Sequence, residues 1–256
     1  MTQLSIDLNA DVGEVPAALA DGAEERLLRL VTSANIACGG HAGTPESMRA
    51  VVAIAHRLHV AIGAHPGYPD PENFGRREMP LSSTQIEEAV SSQVAALMDV
   101  ARRQGATVRH VKPHGALYNV AVKDDQVALA IANGLRAWRD AILLVGLAGS
   151  RMLDVWRQEG FQVAAEAFAD RAYEADGTLR ARRHSDALLT DPAAAAQQAL
   201  EIVLHHRVIS SNGTSVPIAA QTLCVHGDTP NVVTILQAIR DGLESHGVEI
   251  RRLQRT

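Results

Sequence analysis

Cysteine is almost absent: Cys38 and Cys224 are the only two in 256 residues. Two cannot build a disulfide framework, and their rarity suggests a reduced, cytoplasmic setting. Lysine is as scarce, with Lys112 and Lys123 alone in a total of 24 lysines and arginines. Against that bias, Lys112 stands out because it lies beside His114. No apolar run approaches the ~20 residues that span a bilayer. The first eleven residues carry charge and a strand pattern, so no signal peptide is expected. A net charge of −5 and a pI near 6.1 lack the basic stripe of a nucleic-acid binder. Neither a Gly-x-x-x-x-Gly-Lys-Ser/Thr phosphate loop nor a Rossmann fingerprint is present. If ATP takes part, its site is of another kind or lies on another chain.

A core is amply provided for, with 46% hydrophobic residues. Strand and helix signals alternate along the chain. Leu4–Asn9 alternates apolar and polar, and short apolar runs recur at 33–38, 60–64, 108–112, 142–146, 161–166 and 222–225. Helical patterns lie between them, at 23–31, 127–138 and 149–159 among others. Thr44-Pro45, Asp191-Pro192 and Thr229-Pro230 each read as an N-cap followed by proline at the first helical position. Ser82-Ser-Thr-Gln85 resembles a capping box. Two irregular stretches, 67–80 and 168–183, are long enough to be functional loops. With no polar linker between the units, the pattern predicts one α/β domain over 1–256. Roughly seven βα units favour a closed or nearly closed TIM-like (β/α) barrel, seven-stranded or irregular, over an open sheet.

Four histidines occupy matching places after apolar strands: His41, His65, His114 and His226. In a parallel barrel the chemistry sits where strands end. That rule collects Asn9, Asp11, Asn35, His41, His65, Lys112, His114, Glu166, Asp170, Arg171, His226 and Asp228. Any one of them alone is more simply a capping or bracing residue; four histidines in register with carboxylates are not. Asp11, His65, Lys112 and His114 are expected nearest the chemistry. Asn9, Asn35, His41, Arg76, Glu166, Arg171, His226 and Asp228 are expected to hold an anionic substrate. His41 and His226 share a His-x-x-Thr-Pro string, which would place each before a helix N-terminus that favours an anion. Two chemistries stay open. Asp11, His41 and His65 could hold a divalent metal that lowers the pKa of bound water. Alternatively Asp11 or a histidine serves as general base without a metal, with Lys112 countering charge. Tyr68, Phe74, Tyr118, Phe168 and Tyr173 fall in the mouth loops, where they line a pocket or seal the barrel top. The two thiols are expected to pack as small buried groups.

The segments Asp7–Glu14, Thr32–Gly43, Ala61–Gly67, Phe74–Arg77, His110–Asn119, Phe168–Arg171 and Cys224–Asp228 resemble the LamB/YcsF family, in order and from about residue 5 to 250. The resemblance implies a barrel like those of the glycoside hydrolase/deacetylase superfamily. It also implies ATP-dependent opening of the 5-oxo-L-proline lactam to L-glutamate, with ATP as cosubstrate and two partner subunits, B and C. The sequence departs from the family pattern at Ala10, where cysteine is usual, at Gly40, where phenylalanine is common, and at Thr44, where an acid is frequent. Loss of the Gly40 side chain is expected to widen the mouth. Two alternatives remain: a stand-alone metal-dependent deacetylase or amidohydrolase of an N-acyl substrate, and a non-catalytic subunit that binds the lactam. A homo-oligomer is also left open.

Overall fold

Alternation in the first strand sets the architecture. β1 (Ser5–Val12) turns Asp7, Asn9 and Asp11 to one side and Ile6, Leu8, Ala10 and Val12 to the other, all buried. The structure, a computed structural model, describes residues 3–255. β2 (Ser33–Ala37), β3 (Ala61–His65), β4 (Val108–Val111), β5 (Leu143–Leu147) and β6 (Gln162–Phe168) add in parallel, each beside its predecessor. After an antiparallel hairpin of β7 (Arg207–Ile209) and β8 (Ser215–Pro217), β9 (Thr222–Val225) pairs in parallel with both β6 and β1. That double pairing closes a seven-stranded barrel among the described residues. The short β10 (Glu249–Ile250) continues the β2 side of β1 below the start of β2, where Glu249 and Arg251 N–H groups donate to Leu4 and Ile6 carbonyls.

Helices cover the outside. α1 (Pro16–Ala20) and α2 (Ala23–Leu28) follow β1, and α3 (Pro45–Arg57) and α4 (Ser83–Arg103) follow β2 and β3. α5 (Gly115–Ala121), α6 (Asp125–Leu135), α7 (Arg151–Gln158), α8 (Pro192–His205) and α9 (Val232–Ser245) complete the ring. Each long helix buries one stripe: Met48, Val51, Val52 and Ala55 in α3, or Ile86, Val90, Val94 and Leu97 in α4. The apolar core therefore lies between strands and helices. Inside the barrel the walls from β1, β2, β4 and β9 are largely polar, unlike the Val/Ile/Leu filling usual for such folds, while β5 turns Leu143, Val145 and Leu147 inward.

The expected barrel and element order are observed, with local differences. The helical pattern at 127–138 is α6 followed by a 3₁₀ turn over Arg136–Trp138. Neither the β7–β8 hairpin nor β10 is foreshadowed by the pattern, because each is only two or three residues per strand. Thr44 and Ser82 make capping boxes and Asp191 caps α8. Thr229-Pro230 does not start a helix. α9 begins at Val232 behind Asn231, whose φ is 59°, because the Thr229 hydroxyl donates to Asp170 at 2.7 Å instead.

Candidate active site

The interior side chains form one hydrogen-bonded column. At its base Asp7 accepts from the Thr32, Ser33 and Thr222 hydroxyls at 2.7, 2.6 and 2.5 Å. Burial raises its pKa, and these donors oppose the rise. One layer up, the Asn9 amide donates to Glu166 Oε1 (3.0 Å) and Thr222 (2.7 Å), and the Asn35 amide donates to Asn9 Oδ1 (2.7 Å) and Asp11 Oδ1 (2.8 Å). His110 Nε2 meets Asn35 Oδ1 at 2.8 Å, in space that Gly63 leaves open: a Cβ there would lie 2.0 Å from that nitrogen. Burial, with Lys112 and His65 nearby, lowers the pKa of His110 to about 3, so the ring is neutral.

Lys112 is the hub. Its ammonium contacts Glu166 Oε1 at 2.9 Å, Cys224 Sγ at 3.0 Å and Asp11 Oδ1 at 3.1 Å. Burial alone would lower its pKa, but Asp11, Cys224 and Glu166 hold it well above the usual lysine value. Burial would likewise raise Asp11, but His65 and Lys112 keep it well below the ordinary carboxylate range. Glu166 receives a further bond from the Tyr118 hydroxyl at 3.0 Å. Cys38 packs as a small buried group, its thiol pushed up to about 12 by burial. Cys224 does not merely pack, because its sulfur faces inward and receives the Lys112 N–H.

At the mouth, β1 to β4 each contribute one residue to a second cluster. His65 Nδ1 donates to the Lys112 carbonyl (2.7 Å) and His114 Nε2 to the Phe74 carbonyl (2.9 Å). The other nitrogens of these rings, His65 Nε2 and His114 Nδ1, face each other at 3.0 Å. His41 stacks on His114 with ring centroids 3.5 Å apart, and its Nε2 meets Glu14 Oε1 at 2.8 Å. Burial lowers the pKa of both His41 and His114, reinforced by the neighbouring His65, while Asp11 outweighs burial and raises His65. On the far wall Asp170 accepts from the His226 backbone N–H (2.9 Å) and from its Nδ1 (3.1 Å), and the His226 ring stacks on Phe168.

A cavity of about 320 Å³ opens above Lys112. Of the residues singled out from sequence, Asp11, His65, Arg76, Lys112, His114, Arg171 and His226 line it. Asn9, Asn35 and Glu166 lie beneath, in the column. His41 lies behind His114 against Glu14 rather than at the start of α3, whose first turn Thr44 and Ser47 already satisfy. His226, too, has no helix start behind it. Asp228 is held between Arg76 and Arg182 as a rim tie. The trio Asp11, His41 and His65 is not assembled as expected: Asp11 meets His65 at 3.3 Å, but Glu14 is the carboxylate that reaches His41. Tyr118 and Phe168 line the cavity, whereas Tyr173 is wholly buried with its hydroxyl accepting from Phe168 N–H.

Gln93, Arg180 and Arg182 are not among the residues expected from sequence, and Glu14 enters there only as the end of the Asp7–Glu14 string, with no role of its own. Its place closing that acidic string after β1 was signal enough to give it one. Gln93 looks like an ordinary helix residue, yet its buried amide accepts from Gly67 N–H (3.0 Å) and donates to Gly67 O (2.8 Å). A Cβ on Gly40 would lie 2.2 Å from Gln93 Oε1, so Gly40 makes room for Gln93 and does not widen the mouth. No helix among the described residues is long and apolar enough to cross a membrane.

The profile of the LamB/YcsF family matches residues 6–256. A Chloroflexus aggregans protein named as the A component of 5-oxoprolinase is 53% identical over 248 residues, covering 97% of this chain and 98% of that protein. Its namesake in Chloroflexus aurantiacus is 49% identical, covering 98% of this chain and all of that protein. The crystal structure of a lactam utilization protein from Thermus thermophilus superposes with a TM-score of 0.90 at 42% identity, covering 98% of this chain and 100% of that one. The barrel, the strings around each mouth residue and these full-length matches together show that the chain belongs to the LamB/YcsF family.

Proposed function

We propose that this chain is the lactam-opening component of a cytoplasmic, ATP-dependent 5-oxoprolinase that converts 5-oxo-L-proline to L-glutamate with B and C partner subunits. The observation that carries this reading is the full-length similarity to proteins named as the A component of 5-oxoprolinase. The cavity supports it chemically. Arg76, Lys123, Arg171, Arg180 and Arg182 crowd its rim, and Lys112 and Asp11 form its floor. A small anion with a second reacting polar group suits that layout: the carboxylate at the arginines, the ring amide toward Lys112.

The lactam is a resonance-stabilised amide, so water attacks it slowly. ATP as cosubstrate overcomes this if the amide oxygen is phosphorylated, which makes the ring carbon a good electrophile. Phosphoryl transfer releases ADP. Water then bonds to that carbon, and the C–N bond breaks as the nitrogen gains a proton and becomes the amine. A second water hydrolyses the γ-glutamyl phosphate left behind to glutamate and inorganic phosphate. Lys112 is placed to balance negative charge at the reacting oxygen. His226 is the best-placed proton acceptor: Asp170 anchors its Nδ1, and Nε2, on a ring that lines the cavity, has no hydrogen-bond partner among the described residues. Asp11, held ionised by His65 and Lys112, is a weak base and serves to orient the ammonium.

The test is glutamate release and oxoproline-dependent ATP hydrolysis by this chain with its B and C partners. Lys112→Met is expected to abolish glutamate release, and Asp170→Asn to lower kcat by about 100-fold or more. Wild-type release from both variants would remove the site assignment. Loss of oxoproline affinity with unchanged kcat would favour a non-catalytic lactam-binding subunit.

A further inference from the structure

The mouth cluster has a deficit that its own protons do not fill. A carbonyl oxygen only accepts, so the bonds to Lys112 O and Phe74 O fix hydrogens on His65 Nδ1 and His114 Nε2. His65 Nε2 and His114 Nδ1 are then bare lone pairs 3.0 Å apart, and Glu14 Oε1, another acceptor, lies 3.3 Å from the second and 3.9 Å from the first. His41 Nε2 completes the set at 2.8 Å from the same oxygen. One added proton on His65 Nε2, shared between His114 Nδ1 and Asp11 Oδ2 at 3.3 Å, still leaves His114 Nδ1 against Glu14 Oε1. His41 Nδ1 is a buried nitrogen without a partner among the described residues.

We propose that Glu14, His41, His65 and His114 form a four-coordinate site for a divalent transition-metal ion of the zinc type. All four ligand atoms lie within 4.8 Å of one another. Around a tetrahedral ion with ligands at ~2.05 Å, donor atoms stand ~3.3 Å apart, in the middle of the separations seen here. Three imidazoles and one carboxylate suit zinc or cobalt rather than magnesium or calcium. The two backbone carbonyls that hold the far nitrogens are the outer shell expected around ligating histidines. The loops close tightly over this spot: a Cβ on Gly67 would lie 2.9 Å from His41 Nδ1, and one on Gly75 would lie 2.6 Å from His41 Cβ. The second group of donors, Asp11, Cys224 and His226, is a poorer site because the Lys112 ammonium already sits on Asp11 and Cys224.

The ligands come from the ends of β1, β2, β3 and β4, one from each. Four protein ligands leave no open position, so the ion ties four successive loops together and forms one wall of the cavity through His65 and His114. This inference does not depend on the lactam chemistry.

Its test uses the full-length chain, stripped with chelator and titrated with Co²⁺ without ATP or partners. The expected result is one tight equivalent per chain with the intense visible bands of tetrahedral cobalt, displaced by one equivalent of Zn²⁺. Binding should raise Tm by about 5 °C or more. Glu14→Gln and His114→Asn, each shown by circular dichroism to be folded, should weaken uptake by roughly 100-fold or more. His246→Ala, on the exposed end of α9, should leave it unchanged. Absence of tight uptake by wild type would mean that protons alone hold the cluster. Tight uptake by both cluster variants, or a thiolate-to-cobalt charge-transfer band, would place the ion elsewhere and equally overturn the proposal. Lactam opening that persists in chelator would leave the proposed function standing whatever the metal result.

Discussion

His110 shows how a single buried side chain couples the interior to pH. In the unfolded chain it titrates near its ordinary value of 6.5, and in the folded protein at about 3. Because the folded pKa is depressed, its contribution to stability is complete above pH 6.5 and is lost as pH falls toward 3. Unfolding in that window takes up one proton at this site, a slope of about 1.4 kcal/mol per pH unit. His110→Asn should therefore lose less stability than wild type between pH 6.5 and 4.5, by about that slope. Urea midpoints at three pH values measure it, and parallel lines for the two proteins would show that His110 is not held neutral. The surrounding residues explain why its neutrality was not legible in sequence. Val108, His110 and Lys112 alternate as a strand does, but only the register of β2, β3 and β4 in the sheet puts Asn35 and the Gly63 gap beside the ring.

Elements differ in how far their local code governs them. Thr44 and Thr229 stand in the same His-x-x-Thr-Pro string, yet one caps a helix and the other serves Asp170. Thr44→Ala should cost about 1 kcal/mol of stability and leave kcat alone. Thr229→Val removes a donor that helps keep Asp170 ionised, so kcat should fall and the acid limb of its pH profile should move upward. Equal losses of stability with kcat untouched in both would contradict this division. The packing of α4 on the β2 and β3 loops makes a second case. Gly40→Ala should cost about 1–3 kcal/mol by displacing Gln93, and Gln93→Ala about 1–3 kcal/mol by unpairing the buried Gly67 groups. The double variant should cost at least about 1 kcal/mol less than the sum. Strict additivity in thermal or urea unfolding would mean that the two do not share one space.

At the scale of the molecule, the barrel has a working end and a supporting end. β10 belongs to the latter, beside Ser5 and Ile6 at the start of β1, far along the strand from Asp11. Truncation after Val248 takes away two backbone hydrogen bonds to β1 and the Leu253 N–H bond to the Asp7 carboxylate, and should lower stability by roughly 2–5 kcal/mol with KM for oxoproline unchanged. A large change in KM would show that the two ends are coupled. Strand and helix periodicity, cap residues and the strand-end rule made the seven-stranded barrel and the polar floor of the cavity legible in advance, because those signals act over a few residues. The family strings did the same for the lactam chemistry. Only the tertiary structure decided which carboxylate meets which histidine, that Cys224 serves Lys112, and that Gly40 yields its space to Gln93. Each of these is a contact across the barrel or between loops, where the partner is chosen by closure of the sheet and by the need to satisfy buried polar groups, and no spacing along the chain encodes it.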